Sequence, residues 1–446
     1  MSRRPATKPK HPPWPRRVWV LAWALVLLTT SVAGAAVVQK DLPQPADFRQ
    51  CLQWALKHSP RLQKSALEIK VRKLSEWDAK WAFVPSVHMQ SRYFFGRPEQ
   101  SGRPYELKFT TGTYNPVGAY FSLQANRLVS RIAVVAHVGG IEAVLARLAK
   151  SFLKLHALQN RIQLAEDRIA LARRVLAYTK SLRKSGSATG LQVEVAEQTL
   201  EVAQARAMSL AVARQAALNQ VKVLMGMDPS LKLALDLPAG LQQVIGSFDP
   251  KKNGLDQARR HSLELKVQRL KEQLQAMNIT LAYTKFLPTF HMTLENPDPL
   301  TAENENALYF SVGIELAIWE GFKQVRNVQR QRMILQQFKQ ERRQKELSVT
   351  ALWQGARDRV SQTRAALKLA STRERLTGLR EREALIAYQV QQTTFPAFAA
   401  RRMSHLEARG TLTQSELAYH EALVDLRRLT GDLLRTHLTV GSKDFE

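Results

Sequence analysis

Cysteine is almost absent from this chain. Cys51 is the only one, so no internal disulfide can form and a disulfide-stapled scaffold is excluded. It sits in Phe48-Arg-Gln-Cys51, without the apolar and small residues of a lipid-attachment box, and reads as a small hydrophobe. Beyond the first segment no run reaches the 18 consecutive apolar residues that a membrane-crossing helix needs. Phosphate-binding and nucleophile signatures are missing as well: there is no Gly-x-Gly-x-x-Gly, no Gly-x-x-x-x-Gly-Lys-Ser/Thr and no Gly-x-Ser-x-Gly. The histidines that attract attention, His58, His88, His261 and His291, have no Cys-rich, His-x-x-x-His or Asp-x-Asp cluster nearby. Metal sites need ligands that converge at defined spacing, so these four read as structural. The expectation is a chain with no catalytic residue, no metal and no cofactor.

What is present begins with a basic start. Arg3, Arg4, Lys8, Lys10, Arg16 and Arg17 precede the apolar run Val18–Leu28, and Ala33-Gly34-Ala35 then offers a small-x-small cleavage pattern. Residues 1–35 are expected to be a signal peptide; the alternative is an uncleaved anchor, since weaker apolarity continues to Val38. The net charge is +28, from 66 Lys and Arg against 38 Asp and Glu. Such a balance ordinarily points to nucleic acid or anionic lipid. A secretion signal argues against nucleic acid, and the basic residues are spread along helices, where they read as solvated faces.

The remainder is a tandem repeat. Phe83-Val-Pro85-Ser-Val-His88-Met89 returns 203 residues later as Phe286-Leu-Pro288-Thr-Phe-His291-Met292. At the same offset Leu52, Ala55, His58, Ser59 and Leu62 match Leu255, Ala258, His261, Ser262 and Leu265. Thr189, Ala213, Ala217, Leu218 and Gly226 match Thr394, Ala418, Ala422, Leu423 and Gly431 at 205. Two structural units follow, about 36–245 and 246–446.

Each unit opens with a helix that stops before a proline, at Pro85 and Pro288. Extended segments come next, over about 86–123 in the first unit and 289–319 in the second. Two hairpins supply four strands, too few to close a barrel, which takes about eight; three chains would supply twelve. Tyr93, Phe94, Tyr105, Tyr120, Phe310 and Trp319 cluster in or beside these strands, as aromatic girdles do in outer-membrane barrels. Long helical hairpins follow, about 130–225 and 321–436. Leu148, Phe152, Leu155, Leu158, Ile162, Ala165 and Ile169 recur at the coiled-coil period, with a second apolar line beside them. Two seams on one helix imply two neighbours and free faces toward water, as in the wall of a tube. The tips are Gly186–Gly190, where glycine ends one helix and Thr189 can cap the next, and Gln391–Pro396, with Thr394 as its capping candidate.

These residues resemble the TolC family of outer-membrane efflux proteins. The resemblance is carried by the helix-Pro-strand junctions at Pro85 and Pro288 and by the strand exit Ser311-Val-Gly-Ile-Glu-Leu-Ala-Ile-Trp319-Glu-Gly321. The Gly186-x-x-Thr189 tip and the helix ends Leu224-Met-Gly226 and Leu429-Thr-Gly431 add to it. It spans about 46–440. It implies a mainly α fold with β-hairpins, a homotrimer with one twelve-stranded barrel in outer-membrane lipid, and a helical tunnel across the periplasm. It further implies passive conduction of substrate loaded by an inner-membrane pump, of RND or ABC type, through a periplasmic adaptor (membrane fusion) protein. The tips would form the constriction, with Gly186, Thr189, Glu194, Thr394, Arg401 and Arg402 as candidate residues. Family members often place acidic residues just after the second tip, where this chain has Pro396-Ala-Phe-Ala-Ala400 and then Arg401 and Arg402. A ring of these arginines would disfavour small cations; alternatively they lie outside the bore, paired with neighbours or facing the adaptor. Two other readings compete with the duct. A periplasmic adaptor would carry one helical hairpin rather than two, and a basic cell-surface structural protein would leave the repeat unexplained.

Overall fold

The computed structural model describes residues 45–93, 105–237, 254–296, 309–316 and 321–437, all within the compact unit that begins at Pro43. The expected signal peptide lies outside the described residues. The elements of the first half are α1 Phe48–His58, α2 Pro60–Trp81, β1 Val87–Tyr93, β2 Tyr105–Thr111, α3 Pro116–Lys184 and α4 Gly190–Met225. Those of the second are α5 Leu255–His261, α6 Leu263–Thr284, β3 Thr289–Asn296, β4 Tyr309–Glu315, α7 Lys323–Gln389 and α8 Phe395–Leu429, with a short α9 Asp432–His437 at the end.

Local chemistry sets most of these boundaries. Asp47 and Gln50 form a reciprocal capping box at the start of α1, at 2.7 and 3.0 Å. Proline at the first position restarts α2 after Ser59. The second half breaks at the matching place without a proline, and the Ser262 hydroxyl accepts a bond from the Leu265 N–H there. One boundary departs from the sequence reading. The second strand was expected to run to Leu123, but β2 ends at Thr111 and helix begins at Pro116. Asn115 accepts a bond from the Gly118 N–H at 2.8 Å, and Pro116 fixes the first helical φ. That Asn-Pro pair outweighs the β propensity of Tyr120 and Phe121, which therefore lie in the first turns of α3 rather than in a strand.

The four strands form one antiparallel sheet in the order β1-β2-β3-β4, so β1 and β4 are its edges. The register puts Met89 opposite Phe109, Phe109 opposite Leu294, and Leu294 opposite Phe310. Met292 faces Val312 and Phe290 faces Ile314. One face of the sheet is therefore apolar across all four strands. Its reverse carries His88, Gln90, Thr110, His291, Thr293, Ser311 and Glu315. The apolar face is uncovered: Phe310, Val312 and Ile314 are all more than half exposed.

The helices pack as two long hairpins joined through α3 and α8. Helix α3 contacts α2 and α6 along one part of its length and α4 and α8 along another, while α7 contacts α6 and α8. It is the one described helix long and apolar enough to cross a membrane, yet the chain itself packs against its middle. Gly139 meets Leu263 of α6, Gly140 meets Leu62 of α2, and Leu145, Leu148 and Ala149 are fully buried. Each such leucine contributes about 1.5–3 kcal/mol by leaving water. An antiparallel ladder fixes α3 against α8: Lys150 pairs with Asp425 at 2.6 Å, Arg161 bonds Gln414 at 3.0 Å, and Arg168 pairs with Glu407 at 2.6 Å.

A belt of tight contacts ties each half together. Gly226 ends α4 with φ +74°, and the N–H groups of Gly226 and Met227 bond back to Val223 and Lys222 at 3.1 and 2.8 Å. A Cβ at Gly226 would lie 2.4 Å from the His58 carbonyl oxygen, so the end of α4 is seated against the α1–α2 break. Gly431, with φ +71°, seats the end of α8 against His261 at the α5–α6 break in the same way. Phe48 packs edge-on against Phe152 and His437. Arg427, almost wholly buried, reaches Asp432 and Thr436 at 2.8 and 2.6 Å and so fastens α9 to α8. Cys51 is buried here; desolvation, with Asp47 adding to it, pushes its thiol up to about 12 and leaves it unreactive.

Candidate functional site at the helix tips

The ends of the two long hairpins are built differently. At the first tip Gly186 takes φ +77°. The Ser187 and Gly186 N–H groups bond back to Leu182 and Arg183 at 2.8 and 3.1 Å, a Schellman end. Thr189 then caps α4: its hydroxyl accepts from the Gln192 N–H at 3.3 Å while Gln192 accepts from the Thr189 N–H at 2.9 Å. Glu194 stands exposed on the following turn, lining an open groove beside Leu191 and Val195.

The second tip uses the same backbone pattern without glycine. Gln391 adopts φ +61°, and Gln392 and Gln391 bond back to Ala387 and Tyr388 at 2.8 and 3.1 Å. Thr394 occupies the cap position, but its side chain makes no capping bond, which corrects the sequence expectation. Pro396 is the second helical residue and has no N–H to offer, so one of the two usual partners of a capping oxygen is missing. Aromatic packing holds this tip instead. Phe395 lies between Tyr178 of α3 and Tyr388 of α7 at 5.3 and 5.8 Å, and Tyr388 stacks on buried Phe398 at 5.9 Å. Such pairs add about 0.5–1.5 kcal/mol each beyond their buried area.

The two candidate arginines part company. Arg402 turns to α7 and lies 3.8 Å from Glu381. Arg401 is exposed and has no ion-pair partner among the described residues. Beside Arg402 sits a contact that no sequence signal marked. The His405 ring of α8 rests over Gly378, with Nε2 3.4 Å from Glu374 and Nδ1 3.3 Å from Glu381. Glu374, Gly378 and Glu381 share one face of α7 at the i, i+4, i+7 spacing, a pattern visible only once α8 is known to lie on that face. Among the described residues no group of three or more His, Cys, Asp or Glu side chains is arranged to hold a metal ion.

No protein-family model matches this sequence, and no curated protein matches it. Solved structures do. The outer-membrane channel OprN superposes with a TM-score of 0.73 at 16% identity, covering 86% of this chain and 89% of its own. The Campylobacter jejuni CmeC outer membrane channel gives 0.70 at 13%, covering 86% and 85%. The open state of the Neisseria gonorrhoeae MtrE outer membrane channel gives 0.67 at 17%, covering 86% and 88%. At such identity only the backbone architecture is held in common, and over nearly the whole described chain that architecture is the TolC-type outer-membrane channel fold.

Proposed function

We propose that this chain is one third of an outer-membrane exit duct. The observation that carries the reading is the sheet: four strands with two open edges, apolar on one face and polar on the other. Open edges and uncovered apolar faces do not persist in water, and a barrel in lipid must close on itself. Three copies close twelve strands, turning Met89, Phe109, Met292, Phe310 and Val312 to lipid and the polar face to a lumen. The helices support the same stoichiometry. Leu191, Val195, Val202 and Val212 form an exposed apolar stripe on α4, and Leu369, Leu376, Leu379 and Ile386 form another on α7. Both stripes lie on outer edges of the helical layer and would meet between copies.

In this reading α3, α4, α7 and α8 form the wall of a periplasmic tunnel that an adaptor links to an inner-membrane pump. Substrate passes through without chemical change. The tips are the narrow end, where Gly186, Thr189, Glu194, Thr394, Arg401 and Arg402 shape the bore, with Arg401 the cation free to face it. Membrane fractionation followed by native mass spectrometry of the detergent-extracted protein tests the reading. A trimer from the outer membrane is expected; a stable monomer, or a protein confined to the inner membrane, would overturn it.

A further inference from the structure

The positive charge of the described chain is concentrated on its two longest helices. Helix α7 carries sixteen Lys and Arg against six Asp and Glu, and α3 twelve against three. The return helices α4 and α8 are nearly balanced, at three against three and five against four. Four of the twelve on α3 are paired, with Glu76, Asp425, Glu407 and Glu197. On the sheet-proximal part of α7 Arg342 pairs with Glu272 and Lys345 with Glu264. From Arg357 onward no Lys or Arg of α7 has an acidic partner among the described residues.

From Arg357 onward α7 has four faces. One holds Glu374, Gly378 and Glu381 against α8. The opposite one carries exposed Leu369 and Leu376, where Asp358 and Glu383 also fall, while exposed Leu379 and Ile386 border the first arginine flank, Ile386 on the line of Lys368. Between them, one flank carries Arg357, Arg364, Lys368, Arg375 and Arg382, at helical spacings of seven, four, seven and seven. The other flank carries Arg359, Arg373 and Arg380. All eight are exposed, none has an acidic partner among the described residues, and neither flank contains a carboxylate. A helix in the wall of a tube turns one flank to the bore and one to the outside. Here the bore receives cations whichever flank it is.

We propose that the tip-proximal tunnel is an anion-selective conduit and that its cargo class is molecules bearing carboxylate, phosphate or sulfonate groups. The proposal rests on the duct reading. A narrow, water-filled bore between low-dielectric walls concentrates the field of fixed charges and enriches the opposite ion. Three copies multiply the effect, and salt weakens it, because the screening length falls to about 3 Å at 1 M.

The test is the reversal potential of the purified trimer in planar lipid bilayers under a steep KCl gradient. Expected is a chloride-to-potassium permeability ratio several-fold above one, falling toward one as both solutions are made more concentrated. A ratio below one would overturn the proposal. Two variants locate the charge: Arg364→Glu/Lys368→Glu/Arg375→Glu/Arg382→Glu and Arg359→Glu/Arg373→Glu/Arg380→Glu, each with a Gln counterpart that removes charge without adding any. One set should carry the ratio below one while the other leaves it unchanged. Selectivity unmoved in both sets, with trimers intact, also overturns the proposal. A protein that extracts as a monomer or opens no channel refutes the duct itself, a result distinct from either.

Discussion

The belt and the tips solve one problem, ending a long helix and reversing the chain, by opposite means. At the belt Gly226 and Gly431 have left-handed backbones with other parts of the chain pressed against their α-carbons. At the tips Gly186 has the same backbone with nothing within 4 Å of where a Cβ would stand, and Gln391 dispenses with glycine altogether. The difference teaches where the fold is immovable and where it is free to rearrange. Conformation at the belt is imposed by packing, whereas at the first tip it is set by three or four residues of local sequence.

Substitutions sharpen the contrast. Gly226→Ala adds a methyl group against a carbonyl oxygen to an already unfavourable φ, and should lower stability by about 3 kcal/mol or prevent assembly. Gly186→Ala meets only the φ penalty, about 1 kcal/mol. Thermal unfolding of the two side by side checks the ratio, and equal losses would break the comparison. At the second tip Phe398→Ala should cost roughly 3 kcal/mol, because it removes a buried ring from the Tyr388–Phe395 cluster. No residue at the first tip should match that loss.

Titration probes the ladder near the belt. Burial pushes the Glu142 carboxyl up to about 7 even though Arg428 opposes it, so the folded chain holds a proton that the unfolded chain has released. Its contribution is present below about 4.5 and is lost as pH rises toward 7. Glu142→Gln should therefore match the parent at pH 5 and exceed it by roughly 1–2 kcal/mol at pH 8. His156 and His420 act the other way. Burial lowers both, and His156 further lowers His420, so their contribution is full above the ordinary imidazole range and fades as pH falls through it. Midpoints of the parent and of Glu142→Gln across pH 5 to 8 separate the two trends. The smallest effects belong to the caps. Thr189→Ala should cost about 1 kcal/mol and Thr394→Ala close to nothing, while Gln391→Gly should gain about 0.5–1 kcal/mol by relieving its φ.

Much of this architecture was legible in the residues. The offset between Pro85 and Pro288 places both strand starts, Gly186 and Thr189 mark a helix end and a helix start, and Ser311-Val-Gly-Ile-Glu alternates as a membrane-facing strand does. These are local signals, read within one element. What escaped was set by partners distant in sequence. Asn115-Pro116 looks like a turn inside a strand until helix is seen to follow it. Thr394 looks like a cap until Pro396 is counted as the second helical residue. The seat of His405 between Glu374 and Glu381, and the choice of Glu381 by Arg402, depend on the α7–α8 register, which the aromatic cluster at the tip and Gly431 at the belt fix together. Tyr93, Tyr105 and Trp319, expected in the aromatic girdle, have side chains outside the described residues. Tyr114 is seen joining β3 through backbone bonds to Phe290 at 2.7 and 2.8 Å.

Helix α7 runs without interruption from Lys323 to Gln389 and is fastened to α5 where Arg259 bonds Thr350 at 3.1 Å. From that bond to the last helical residue the rod extends about 60 Å at 1.5 Å per residue. A tilt of about 3° there would swing the far end by about 3 Å, half the width of a small solute, without breaking one backbone hydrogen bond in the rod. In the duct proposed above, a small rotation of so long a rod would change the width at the tips.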